Sequence, residues 1–103
     1  MRYPFTDLSG AKVRPALIVG RVRGPDLILA FITSQVGGPA PPAACLLAPP
    51  DPEFGAMGLK GPSAVRLDKL ATLQRGLIRR RLGAIGPRTE QRVNAALRRA
   101  LDL

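Results

Sequence analysis

Ser63-Ala64-Val65-Arg66-Leu67-Asp68 alternates strictly between apolar and charged residues after its small opening pair. Such a run is a strand: Val65 and Leu67 point toward a core, Arg66 and Asp68 away from it as neighbours on one face. A cation and a carboxylate placed this way read as a solvated ion pair, worth only about 0–1 kcal/mol. They read equally as a base beside a charge stabiliser. The surrounding chain has to decide between the two.

Working outward, the 11 Gly and 11 Pro in 103 residues argue against long helices and for strands and turns. The length predicts a single domain spanning 1–103, and 46% apolar residues exclude a disordered chain. Before the hexapeptide, Val13 to Gly20 and Asp26 to Ser34 carry the apolar runs of buried strands. The first has Arg14 at its mouth, just before Pro15, which suits a first strand position because it lacks an N–H. The second ends in Thr33-Ser34-Gln35, three polar side chains at a strand end. Residues 6–12 read as a polar, exposed loop suited to covering a site, and 44–48 as a short strand. Phe54 is expected to fold back over the core edge. Between 59 and 82 the apolar spacing is close to helical. A strand over 63–68, a helical turn over 70–75 and a strand over 77–84 fit equally well. The C-terminus is the clearest helix. Gly86 serves as N-cap and Pro87 as first helical residue. Val93, Ala96, Leu97, Ala100 and Leu101 then form one apolar stripe.

The absence of His removes imidazole acid–base pairs, Ser-His triads and most zinc sites. No Gly-rich phosphate loop and no metal-ligand cluster is legible, so no cofactor is expected. The lone Cys45 cannot form an internal disulfide and sits among apolar neighbours, as a buried thiol would. The apolar runs fall far short of the roughly 20 residues that span a membrane, and no signal-peptide layout is present, so a cytoplasmic protein without membrane contact is expected. The formal charge of +9 is uneven, with 11 Lys and Arg against 3 Asp and Glu in residues 60–103. A polyanionic partner is the natural inference. Arg79-Arg80-Arg81 reads as a solvated surface or as a phosphate-contacting edge.

Three segments then fall into a known order: Pro4-Phe5-Thr6-Asp7-Leu8-Ser9 with Arg14-Pro15-Ala16-Leu17-Ile18-Val19, Ile28 to Gln35, and Gly58-Leu59-Lys60 with Pro62 to Leu73. Together with the closing helix they strongly resemble the PemK/MazF family of type II toxin–antitoxin endoribonucleases, over Pro4 to Leu101. The resemblance implies a mainly β fold with helices (α+β), an SH3-like small β-barrel with a C-terminal helix packed on it, and strand–turn–strand over the ambiguous region. Family members carry a strand ahead of the Pro-Phe segment, whereas only Met1-Arg2-Tyr3 stands there, which implies a first strand that is short or missing.

The resemblance also implies a homodimer, inhibited by a cognate antitoxin with an acidic C-terminal tail. It implies a metal-independent endoribonuclease that cleaves single-stranded RNA at short sequences, leaving 2′,3′-cyclic phosphate and 5′-hydroxyl ends. The RNA's own 2′-oxygen is then the nucleophile. On that reading Asp68 is the candidate base, and Arg66 and Arg14 stabilise charge on the phosphate. Thr33 hydrogen-bonds the phosphate. Asp7, Lys12, Ser34, Gln35 and Lys69 are candidate RNA contacts. Two other classes fit the same residues: a degenerate, non-catalytic module binding RNA or antitoxin, and a CcdB-like gyrase inhibitor on the same fold.

Overall fold

The computed structural model describes residues 4–8, 14–21, 24–38 and 43–103, with the backbone alone for 4–8. Six strands, β1 (Pro4–Leu8), β2 (Arg14–Arg21), β3 (Asp26–Thr33), β4 (Ala44–Leu47), β5 (Ser63–Gln74) and β6 (Ile78–Ala84), precede one helix, α1 (Pro87–Leu101). They form one antiparallel sheet in the order β4-β5-β3-β2-β1-β6.

The sheet buries side chains on both faces. On one, Leu17, Ala30, Cys45, Leu47, Val65 and Leu67 meet Val93 and Ala96 of α1, with Met57 and Ile85 filling the same core. On the other, Ala16 and Leu29 lie under Ile18, Phe31, Leu73 and Ile78. The alternation of Val65 and Leu67 inward against Arg66 and Asp68 outward is therefore present. Phe54 packs against the first core, as expected.

Two segments differ from their sequence expectation. Thr6, Asp7 and Leu8 belong to β1, not to a loop, because they pair with both β2 and β6. β1 as described spans five residues, and Met1 to Tyr3, where a short or missing strand is expected, lie outside the described residues. The helical turn expected over 70–75 is a 3-10 turn at Arg75–Leu77, and β5 runs on to Gln74. The cause is a bulge. Ala30 pairs with Leu70 while Phe31 pairs with Arg66, so Leu67, Asp68 and Lys69 have no β3 partner. The Leu67 N–H bonds the Ala43 carbonyl instead, at 3.0 Å. A bulge bends and twists its strand. This one also reverses the phase of β5: Leu70 packs toward the α1 core and Leu73 toward the opposite cluster.

The connection from β4 to β5 anchors both the helix and β6. Gly86, the helix N-cap, offers no capping side chain. The Glu53 carboxylate takes over: it accepts from the Arg88 N–H at 3.1 Å and from the Thr89 N–H and hydroxyl, each at 2.8 Å. These donors, the Thr89 N–H foremost, hold the Glu53 carboxyl below its usual range. A side chain at position 86 would collide with that carboxylate. Further along α1, the Arg92 guanidinium bonds the Leu46 carbonyl and Asp51 Oδ2, both at 3.0 Å.

The 3-10 turn at Gly55–Met57 drops Met57 into the core and lies flat on β6. A Cβ at Gly83 would strike the Ala56 and Met57 backbone, and one at Gly58, where φ is +75°, would strike the Leu82 carbonyl. The sheet thus curls into a half-barrel whose β6 end is covered by the segment following β4.

Gly83→Ala is expected to cost about 1–3 kcal/mol in urea unfolding through this collision. Gly61→Ala, where a Cβ meets nothing within 4 Å, is expected to change stability by less than about 0.5 kcal/mol. Equal stabilities would contradict the close approach. Because the folded-state pKa of Glu53 is depressed, its contribution is present above the unfolded pKa and lost as pH falls through the folded one. Glu53→Gln is expected to lower the thermal midpoint near neutral pH and to flatten its decline on acidification; an unchanged acid slope would count against the cap.

Candidate active site

Arg14 opens β2 and Thr33 closes β3, so both stand where strands give way to connections. The β2–β3 ladder pairs Ala16 with Phe31. Carried two residues outward, that register sets Arg14 level with Thr33. Phe31 in turn pairs with Arg66 across β5, and Thr33 with Ala64. Residues directly opposite in an antiparallel pair share a face. Arg14, Thr33 and Arg66 therefore project from one face of the sheet, although they come from three strands far apart in sequence.

Asp68, two residues after Arg66 and within the bulge, joins them. Arg66 Nε donates to Asp68 Oδ1 at 2.9 Å and Nη2 to Oδ2 at 2.7 Å, a two-pronged fork. The side chains are 27% and 36% exposed, so solvent screens the pair and its value is geometric more than stabilising. Hydrogen bonding to Arg66 is the main cause that holds the Asp68 carboxyl below its usual range, and Asp68 raises the Arg66 pKa in return. As it stands, then, the carboxylate is a weak base and the guanidinium a permanent cation.

Thr33 Oγ1 accepts the Gln35 N–H at 3.1 Å, which turns the chain at the strand end and leaves the hydroxyl a proton to donate. Ser34 and Gln35 are exposed just beyond it, and Lys69 is exposed in the bulge. Asp7 lies in β1, level with Pro15 on one side and Arg80 on the other. Lys12 lies outside the described residues. Among the described residues, no three Cys, Asp or Glu converge as a metal ion would require, and no helix is long and apolar enough to cross a membrane.

One feature escaped the sequence reading. A groove of about 340 Å³ lies at the same strand ends, lined by Pro15, Ser34, the Gly58–Ser63 connection, Arg80 and Leu82. Gly58-Leu59-Lys60 was legible as a family segment, but nothing in its spacing marks it as a wall. It becomes one because Gly58 presses the connection onto β6.

The arrangement is a cationic face with one hydroxyl donor and one tethered carboxylate beside a solvent-open groove, a set suited to gripping a phosphodiester. Solved structures share the fold. An endoribonuclease from a mycobacterial species, solved in complex with its cognate antitoxin, is 26% identical, with a TM-score of 0.76 over 97% of this chain and 92% of that one. The Mycobacterium tuberculosis toxin MazF-mt6 is 24% identical and has the same fold, with a TM-score of 0.80 over 97% of each chain. No curated protein matches the sequence. The family model for the PemK-like, MazF-like toxin of type II toxin–antitoxin systems matches residues 4–101. That match takes in all six strands, the β5 bulge with its Arg66–Asp68 fork and the whole of α1, and the chain belongs to this toxin family.

Proposed function

We propose that this endoribonuclease toxin cleaves single-stranded RNA by attack of the ribose 2′-oxygen on the adjacent phosphate, giving a 2′,3′-cyclic phosphate and a 5′-hydroxyl. The observation that supports this reading is the run of Arg14, Thr33 and Arg66 along one sheet face, with Asp68 forked onto Arg66. Arg14 and the Thr33 hydroxyl grip the non-bridging phosphate oxygens, whose charge grows in the pentacoordinate transition state. The phosphate then competes with Asp68 for the Arg66 fork. As the guanidinium turns to the phosphate, Asp68 loses the bonds that depressed its pKa and becomes a better base. It accepts the 2′-proton, the new P–O bond forms, and the P–O5′ bond breaks with the leaving oxygen protonated by water. Ser34, Gln35, Lys69, Asp7 and Lys12 flank this centre as RNA contacts.

The toxin works as a homodimer in the cytoplasm, and an antitoxin with an acidic tail neutralises it by charge. A protein partner is supported by the mycobacterial endoribonuclease of the same fold, which is solved in complex with its cognate antitoxin. The +9 charge of this chain suits both an acidic tail and RNA.

RNA with 2′-deoxyribose at the cut position is expected to bind and stay uncut, since it lacks the nucleophile; cleavage of it would sink the mechanism. Arg14→Ala is expected to lower kcat about 100-fold or more, the usual cost of removing one transition-state donor, with the circular dichroism spectrum unchanged. In pH profiles, kcat/KM reports the free enzyme and kcat the complex. The acid limb of kcat is therefore expected at higher pH than that of kcat/KM, and Asp68→Asn should remove both limbs with most of the activity. Coincident limbs would mean that Asp68 only holds Arg66. RNA binding without cleavage products over long incubation would favour the non-catalytic module.

A further inference from the structure

The cations of α1 gather on its outer side. Arg88, Arg92, Arg98 and Arg99 are all exposed, against a single acidic residue, Glu90, within Pro87–Leu101. At 3.6 residues per turn, Arg88, Arg92 and Arg99 fall within about 40° of one another, with Arg98 about 80° to their side. Val93, Ala96, Leu97 and Ala100 face the core instead. From Arg88 to Arg99 the stripe covers about 16 Å of helix. Helix stability accounts for part of it, since Arg98 and Arg99 lie in the last turn, where the helix dipole favours a cation. It does not account for Arg88, which stands in the first turn, where the dipole disfavours one. The exposed residues between these arginines are Gln91 and Ala95, so the stripe carries charge and almost no apolar surface. A protein partner is anchored by buried apolar and aromatic side chains, whereas a phosphate backbone is held by charge alone.

The stripe also connects with the candidate active site. α1 packs on the sheet face that Val65 and Leu67 serve, so its outer side lies across the sheet from Arg66 and Asp68. Arg92 links the two sides. Its guanidinium is held at the β4 edge by the Leu46 carbonyl and by Asp51, and its side chain is still 46% exposed. Leu46 is level with Ala64, and Ala64 with Thr33. Two strand spacings, about 10 Å, therefore separate the Leu46 backbone from that of Thr33. A path of cations leads from the Arg14, Thr33 and Arg66 face over the β4 edge to the outer side of α1.

We infer that this stripe is an exosite for RNA: it holds the phosphate backbone of a single strand that has left the cut site and rounded the β4 edge. It reads no bases and takes no part in bond breaking. Its effect is to capture long RNA, while a strand confined to the sheet face gains nothing from it. The inference rests on the RNA-cleaving reading above, but its test is separable from it.

The test compares wild type with the double variant Arg88→Gln, Arg98→Gln and with the double variant Arg88→Lys, Arg98→Lys. Arg92 is left in place because it ties the helix to the β4 edge, and the thermal midpoint of each variant is checked against wild type. One arm measures cleavage of the shortest RNA that wild type cuts, and of the same site with about 16 nucleotides of unpaired flank on each side. The other measures binding of a long single-stranded 2′-O-methyl RNA, which has the phosphates but no free 2′-hydroxyl, across a range of salt. The Gln pair is expected to lower kcat/KM about fivefold on the flanked RNA and to leave the short one unchanged. It should also reduce the slope of log affinity against log salt by about 1.4, the value for two lost phosphate contacts on a single strand. The Lys pair should restore both, since a point charge suffices. Unchanged cleavage of the flanked RNA by the Gln pair overturns the inference. So does an equal fall on both RNAs, which marks a loss of general charge steering. Weakened binding of a poly-Glu peptide with RNA binding unchanged assigns the stripe to an acidic protein and overturns it likewise. If no RNA is cut at all, the cleavage reading fails, and the salt slope still decides the exosite.

Discussion

Leu67, Asp68 and Lys69 stand in β5 with no partner on β3, and much of the molecule follows from that one irregularity. Before it, Val65 and Leu67 serve the α1 core; after it, Leu70 serves that core while Leu73 serves the opposite cluster. One strand thereby lines two cores. Asp68 stands within the bulge, on the face that its spacing shares with Arg66, and the two meet in a fork. A regular strand would leave the carboxylate in a ladder position with its backbone fully paired. The bulge frees that stretch to follow Ala43 instead, and a site grows where the ladder is broken.

The connection between β4 and β5 fixes the rest. Glu53 holds the first turn of α1 from 36 residues away in sequence, and Met57 enters the core from the same segment. The helix and β6 are thus positioned by one connection. Gly58, Gly83 and Gly86 are the positions that let backbone and carboxylate come this close.

Much of this was legible in the chain. The strands at 14–21, 26–33 and 44–47 follow their apolar runs, and Gly86-Pro87 marks the helix start where it occurs. Arg66 and Asp68 share a face as their spacing requires. The stretch after Asp68 was ambiguous for a physical reason: the phase reversal puts apolar residues three apart at Leu67, Leu70 and Leu73, which imitates a helical period. Thr6 to Leu8 read as loop because their strand character comes from partners on both sides, β2 and β6, and not from apolar content. The apolar stripe of α1 faces the core at Val93, Ala96, Leu97 and Ala100, whereas Leu101 is 52% exposed. The Glu53 cap and the groove depend on contacts across many residues, and no local pattern announces either.

The contact between Arg92 and Leu46 has a consequence for how the chain behaves in company. β4 is a sheet edge, and Leu46 on it is 50% exposed, the combination that invites another chain to add a strand and begin an aggregate. Arg92 spends its guanidinium on the Leu46 carbonyl and on Asp51, so the acceptor an incoming strand would use is taken and a positive charge stands over the edge. A helix residue thereby acts as a guard against self-adhesion along this edge.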